Sequence, residues 1–181
     1  MPYLLKAPLE NWDLSAVTFR THLGHRENVT GLAIGLIRKA AAAERASAGD
    51  DPFEIECAEI AEAWAIGHVI QGCYIEEYHQ WEKAIKQYFS GHRKLNGLTD
   101  DFDWRAGKKS LVERAIDALS FFDTAVDQAV TSAIDTVRET VNWLKHDPLS
   151  NHVEERDYAV AIKAFIAFWD SLIETETRNI G

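Results

Sequence analysis

The run Arg138-Glu-Thr-Val-Asn142-Trp-Leu-Lys145-His146-Asp147-Pro148 carries the residue types best suited to chemistry. Asn142 and His146 are four apart, so on a helix they share one face. Lys145 adjoins His146, and Pro148 stops a helix just beyond. An imidazole, an ammonium and an amide thus meet at a rigid helix end. Such a set could act on an RNA phosphodiester without a metal. Histidine takes or gives a proton near neutral pH, and Lys or Arg stabilises extra phosphate charge. The same residues also suit a plain helix end, with cations set against the negative pole of its dipole.

Other groups match parts of metal and catalytic patterns. Glu76-x-x-His79 has the spacing of a di-iron carboxylate helix. No second copy exists, because the residues three before the other histidines are Phe19, His22, Ala65, Phe89, Trp143 and Leu149. His22 and His25 share a helix face but lack an obvious third ligand. His68 and Gln71 interrupt an apolar stretch and read as buried polar groups holding hydrogen bonds within the core. No Gly-rich phosphate loop, GxSxG, HExxH or CxxC occurs. No metal or cofactor is expected.

These residues need elements to position them, and the expected elements are helices. Only Pro2, Pro8, Pro52 and Pro148 interrupt the chain, which favours long helices over many strands. A first helical region spans about 14–46, with a break expected near Gly24 and an apolar face of Val29, Leu32, Leu36 and Ala40. Asp51-Pro52 restarts a helix, the Asp capping free amides and the Pro preset for the first turn. That second helix should end at Gly91. It is apolar on most sides between Cys57 and Ile75, so a central place in a bundle follows. Both cysteines should then be core-packed thiols about 24 Å apart, too far to bridge.

Residues 92–108 read as the one real loop. A Ser110-x-x-Glu113 capping box opens a third helix running to Lys145. Its stripe is Leu111, Ala115, Leu119, Phe122, Val126, Ala129, Ala133, Val137, Val141 and Leu144, in steps of three or four. Asn151-x-x-Glu154 reads as another capping box, before a last helix with Tyr158, Ile162, Phe165, Trp169 and Leu172. The fold class is all-α: an up-and-down bundle of four to five long helices in one domain, 1–181.

The chain has 181 residues, 46% hydrophobic and 27% charged, with a net charge of −10. That acidity argues against a protein that coats nucleic acid, since phosphate contact needs a positive field. The longest uncharged stretch, Ala63–Ile75, is too short for a membrane span. No signal peptide is evident, and free cysteines suit a cytoplasmic protein.

The segment Asn142-Trp-Leu-Lys-His146, closing a long helix before a short loop and a final helix with Ala161, Phe165 and Trp169, resembles the HEPN superfamily. The resemblance covers about 52–177 and leaves 14–47 as an addition. It implies a four- to five-helix bundle, a homodimer, and metal-independent endoribonuclease activity in RNA-directed defence, with a cognate antitoxin-like protein partner. It also implies roles: His146 as general acid/base, Lys145 and Arg138 steadying phosphate charge, Asn142 orienting. The family's Arg would fall at 139, 140 or 141, which here are Glu139, Thr140 and Val141. Other family members are non-catalytic binding modules.

Three functions follow as expectations. The first is the endoribonuclease, with RNA guided by the cations Arg93, Lys94, Arg105 and Lys108 of the loop. The second is a non-enzymatic helical module that binds a protein. The third is a small-molecule or metal-binding bundle using His22, His25, His68 or His79.

Overall fold

A computed structural model describes residues 15–98, 102–105, 107–146 and 153–179. Five helices and no strand occur among them: α1 (Ala16–Ser47), α2 (Pro52–Leu95), α3 (Leu111–Ser120), α4 (Gln128–His146) and α5 (Glu155–Arg178). The protein is an all-α helical bundle.

Cross-helix pairs set the directions. Arg26 meets Glu77 and Thr30 meets Cys73, so α1 and α2 run antiparallel. Arg20–Asp170, Thr30–Tyr158 and Arg38–Glu155 make α1 and α5 antiparallel. Tyr74 pairs with Thr140, while Tyr78 feels Asp135 and Arg138, so α4 runs against α2. The core is rich in rings. Trp81 packs on Phe165 and Phe168, and Phe19 stacks on Trp169 at 4.9 Å. Helix α1 belongs to this core through Ala16, Leu23 and Ile34.

Local signals place several ends. Asp51 accepts from the amides of Phe53 (2.9 Å) and Glu54 (3.4 Å), with Pro52 opening α2. The Ser110–Glu113 capping box is present. Asn151 lies outside the described residues; Glu154 and Asp157 form the box that opens α5. The α5 stripe of Tyr158, Ile162, Phe165, Trp169 and Leu172 is buried throughout.

Five expectations need correction. Helix α1 runs unbroken through Gly24, because a helical glycine costs only about 1 kcal/mol and Leu23 and Thr30, before and after it, are buried. Helix α2 passes Gly91 and stops at Asn96–Gly97, where Gly97 takes a φ of 76°. The expected third helix is two, α3 and α4. Phe122 turns inward beside Phe89, the Phe122 and Thr124 amides both donate to the Leu119 carbonyl, and Asp123 adopts a left-handed φ of 53°. Asp127 then accepts from the Ala129 amide and opens α4. The face of Val29, Leu32 and Leu36 is solvent-exposed, and α1 instead buries Leu23, Thr30, Ile34 and Ala41.

That exposed face points away from both α2 and α5, which take the Thr30 side of the helix. Arg38 is level with Glu155, the first residue of α5, yet α1 continues nine residues to Ser47, about 14 Å further. The hairpin tip therefore extends past α5 as a two-helix arm. Within 42–66, Ala58 alone is buried. Cys57 is exposed, against the expectation of two core thiols, and Cys73 is half-buried.

Candidate functional site

The end of α4 presents its polar residues as the spacing requires. Val141 and Leu144 are 0% and 1% exposed and hold the helix to the core. That leaves Asn142, Lys145 and His146 exposed on its far side and end. Trp143 is also exposed, at 55%. Asp147 and Pro148 lie outside the described residues.

Arg138 does not join this set. Its Nε donates to Asp135 Oδ1 at 2.6 Å, and Nη2 lies 3.3 Å from Glu139 Oε1. The bond to Asp135 raises its pKa above the usual guanidinium value. Arg138 also sits close enough to affect Tyr78, whose phenol is raised chiefly by burial. Eight residues separate it from His146, about 12 Å of rise and about 80° of rotation. The guanidinium is thus neutralised by carboxylates and aimed elsewhere. Position 141, the last of the three where the family's Arg would fall, holds a fully buried valine.

The cations expected to guide RNA do not converge either. His92 and Arg93 belong to α2, not to a loop, and are 0% and 6% exposed. The Arg93 guanidinium lies 5.8 Å from the Phe89 ring and 5.9 Å from the Phe121 ring, so it packs inward. Lys94, Arg105 and Lys108 are exposed. Lys94 lies twenty residues along α2 from Tyr74, the level of Thr140, while His146 lies six residues the other way. Within one subunit the two groups stand roughly 40 Å apart along the bundle axis.

The remaining histidines do not assemble a metal centre. No group of three His, Cys, Asp or Glu with metal-holding geometry occurs among the described residues. His68 is exposed rather than core-bonded: its Nδ1 lies 2.9 Å from the Trp64 carbonyl and its ring stacks on Trp64 at 5.7 Å. Helix α4 ends at about the level of His68, so the ring lies at the edge of the packed part of the bundle. His79 is half-exposed beside Glu82 at 3.7 Å. His22 and His25 are exposed; His22 lines a groove of about 130 Å³ with Arg26, Glu77 and Lys83.

Two buried polar clusters were invisible in the sequence. Glu176, 2% exposed, accepts from the Tyr88 hydroxyl (2.8 Å), the Ala16 amide (3.2 Å) and the Ser15 hydroxyl (3.4 Å). His92 Nε2 lies 3.5 Å from the same carboxylate. This clasp ties the start of α1 to α2 and α5, and it drives the Tyr88 phenol well up through burial and the adjacent negative charge. Glu77, 3% exposed, pairs with Arg26 at 2.8 Å. Burial raises its pKa despite the opposing pull of Arg26. Each carboxylate is spoken for by partners far away in sequence, which no local pattern announces.

Fold and site together define a five-helix bundle with an exposed Asn–Lys–His helix end and a projecting apolar arm. Compared with protein-family models, curated proteins and solved structures, the chain matches none of them. No helix among the described residues is long and apolar enough to cross a membrane.

Proposed function

We propose that this chain is a non-enzymatic helical module that binds a protein partner through its α1–α2 hairpin, in the manner of a HEPN-like protein without a working nuclease site. One observation carries the reading. Val29, Leu32, Leu36, Phe53, Ile60 and Trp64 stand on the outward faces of this hairpin at 52–72% exposure. Scattered apolar residues on a surface are ordinary, whereas stripes of large ones mark interaction sites. The pairing of Arg138 with two carboxylates supports the same reading, since it removes the guanidinium a phosphate would need. The two free cysteines suit a cytoplasmic setting.

The second reading, a homodimeric metal-independent endoribonuclease, is favoured by the exposure of Asn142, Lys145 and His146. In it, His146 exchanges the proton and Lys145 holds the phosphate, with cations of a second subunit completing the site.

The test has two arms. A photo-crosslinking residue at position 64 should give one discrete protein adduct in the native cell, and one at position 145 should not. Purified protein incubated with RNA in EDTA should leave it intact. Cleavage that disappears in His146→Ala would replace this proposal with the second reading.

A further inference from the structure

We infer that the outer face of the free half of α2 docks a basic amphipathic helix of the partner protein; the inference rests on the binding-module reading and names what the module takes. Phe53, Cys57, Ile60, Trp64 and His68 follow in steps of four, three, four and four, so they form one face. All five are exposed. Contacts locate that face. Glu62 pairs with Arg45 and Cys73 with Thr30, so those positions point at α1. Ile60 and Trp64 are each two residues from Glu62, about 200° round the helix, and point away from α1.

The same face is occupied higher up. Ile60 and Tyr78 are eighteen residues apart, about five full turns, and so lie at one azimuth. Tyr78 is 4% exposed and lies against α4 near Asp135 and Arg138. Helix α4 ends at His146, six residues past the level of Tyr74. Below that level the face continues with the same apolar character, and no helix among the described residues covers it. An added helix lying along this face would bury it.

Charge selects the occupant. Between positions 46 and 82 there are nine acidic residues and no Lys or Arg. Glu54 and Glu56 flank Phe53 on opposite sides of the helix, and with Glu59 they are exposed. These three make no ion pair among the described residues, whereas Glu62 is neutralised by Arg45. An apolar stripe with acidic edges complements a helix with an i, i+3/i+4, i+7 apolar face edged by Lys or Arg. A second copy of this arm would set carboxylate against carboxylate, which disfavours self-association there.

The experiment uses the full chain and fluorescent peptides of about five turns. One has a Leu face with Lys edges, one the same face with Glu edges, and one the Lys peptide's composition in scrambled order. Fluorescence anisotropy should show binding of the first peptide alone, weakened by salt. Trp64→Ser, with its helical circular dichroism unchanged, should weaken that binding at least about tenfold. Glu54→Lys/Glu56→Lys should switch preference to the Glu-edged peptide. Equal binding of ordered and scrambled Lys peptides, or no binding of either, would overturn the inference. So would light scattering that shows a wild-type dimer abolished by Trp64→Ser, which would make a second copy the occupant. If the peptide fails while position 64 still crosslinks to a discrete protein, the binding-module reading stands and only the partner chemistry named here falls.

Discussion

Trp64 and Trp81 stand on the same helix and meet opposite surroundings. Trp81 is 2% exposed, ringed by Tyr78, Phe165 and Phe168. Trp64 is 67% exposed and stacks on His68. Composition alone would have reversed them. The half around Trp64 is the longest uncharged stretch of the chain, whereas Trp81 sits among Glu76, Glu77, Glu82 and Lys83. The difference is in what surrounds each level of α2. At Trp81, α1, α4 and α5 all pack around it; at Trp64 α1 is the one helix alongside among the described residues, and it covers the opposite face. An apolar face therefore states a demand for burial without saying which molecule meets it.

Substitutions at the two levels should separate them. The largest effect is expected from Trp81→Ala, which should cost about 3–5 kcal/mol in urea denaturation through the cavity it leaves. Trp64→Ala should stay within about 0.5 kcal/mol, as for a surface change. Equal losses at both would mean that the arm is part of the core. Glu176→Ala comes next, at roughly 3 kcal/mol, because the Tyr88 hydroxyl and the Ala16 amide lose their buried acceptor. Glu54→Ala on the arm should be close to neutral by the same assay.

Alkali should act on the closed end alone. Tyr74, Tyr78, Tyr88 and Tyr158 are all raised, chiefly by burial, with Tyr158 pushed up to about 12. Below pH 10 the phenols are neutral in folded and unfolded chains, and stability is undiminished. Above the ordinary value of 10.0 the unfolded chain ionises while the folded one does not, so stability falls as pH climbs toward 12. Tyrosinate absorbance should rise together with loss of helical circular dichroism. Ionisation at the ordinary pH with the helices intact would contradict the burial of these rings. A smaller loss than at Trp81 or Glu176 belongs to the arm's turn: Asp51→Ala removes a cap and should cost about 1 kcal/mol.

The candidate site was legible only in part. Asn142 and His146 share a face because four residues on a helix always do, and their exposure follows from the buried Val141 and Leu144 opposite. The fate of Arg138 could not be read the same way. Asp135 and Glu139 were visible as neighbours in sequence, but only the rotamer in the fold commits the guanidinium to them. The Phe121–Asp127 break has no signature in the periodicity, because Phe122 keeps the three-and-four stripe intact across it. Asp127 was the one local signal available, as a helix-opening residue ahead of Ala129.

Helix content, the Asp51–Pro52 restart, the Ser110 cap and the α5 stripe were all determined by the sequence itself. Each depends on hydrogen bonds or periodicity within a few residues, and such interactions need no distant partner. Which apolar stripe is covered, where α3 yields to α4, and that Arg93 lies between rings instead of facing solvent were decided only by the tertiary structure. Those outcomes depend on how far each helix reaches beside its neighbours, and helix ends falling at different levels leave one face of α2 sealed above and open below.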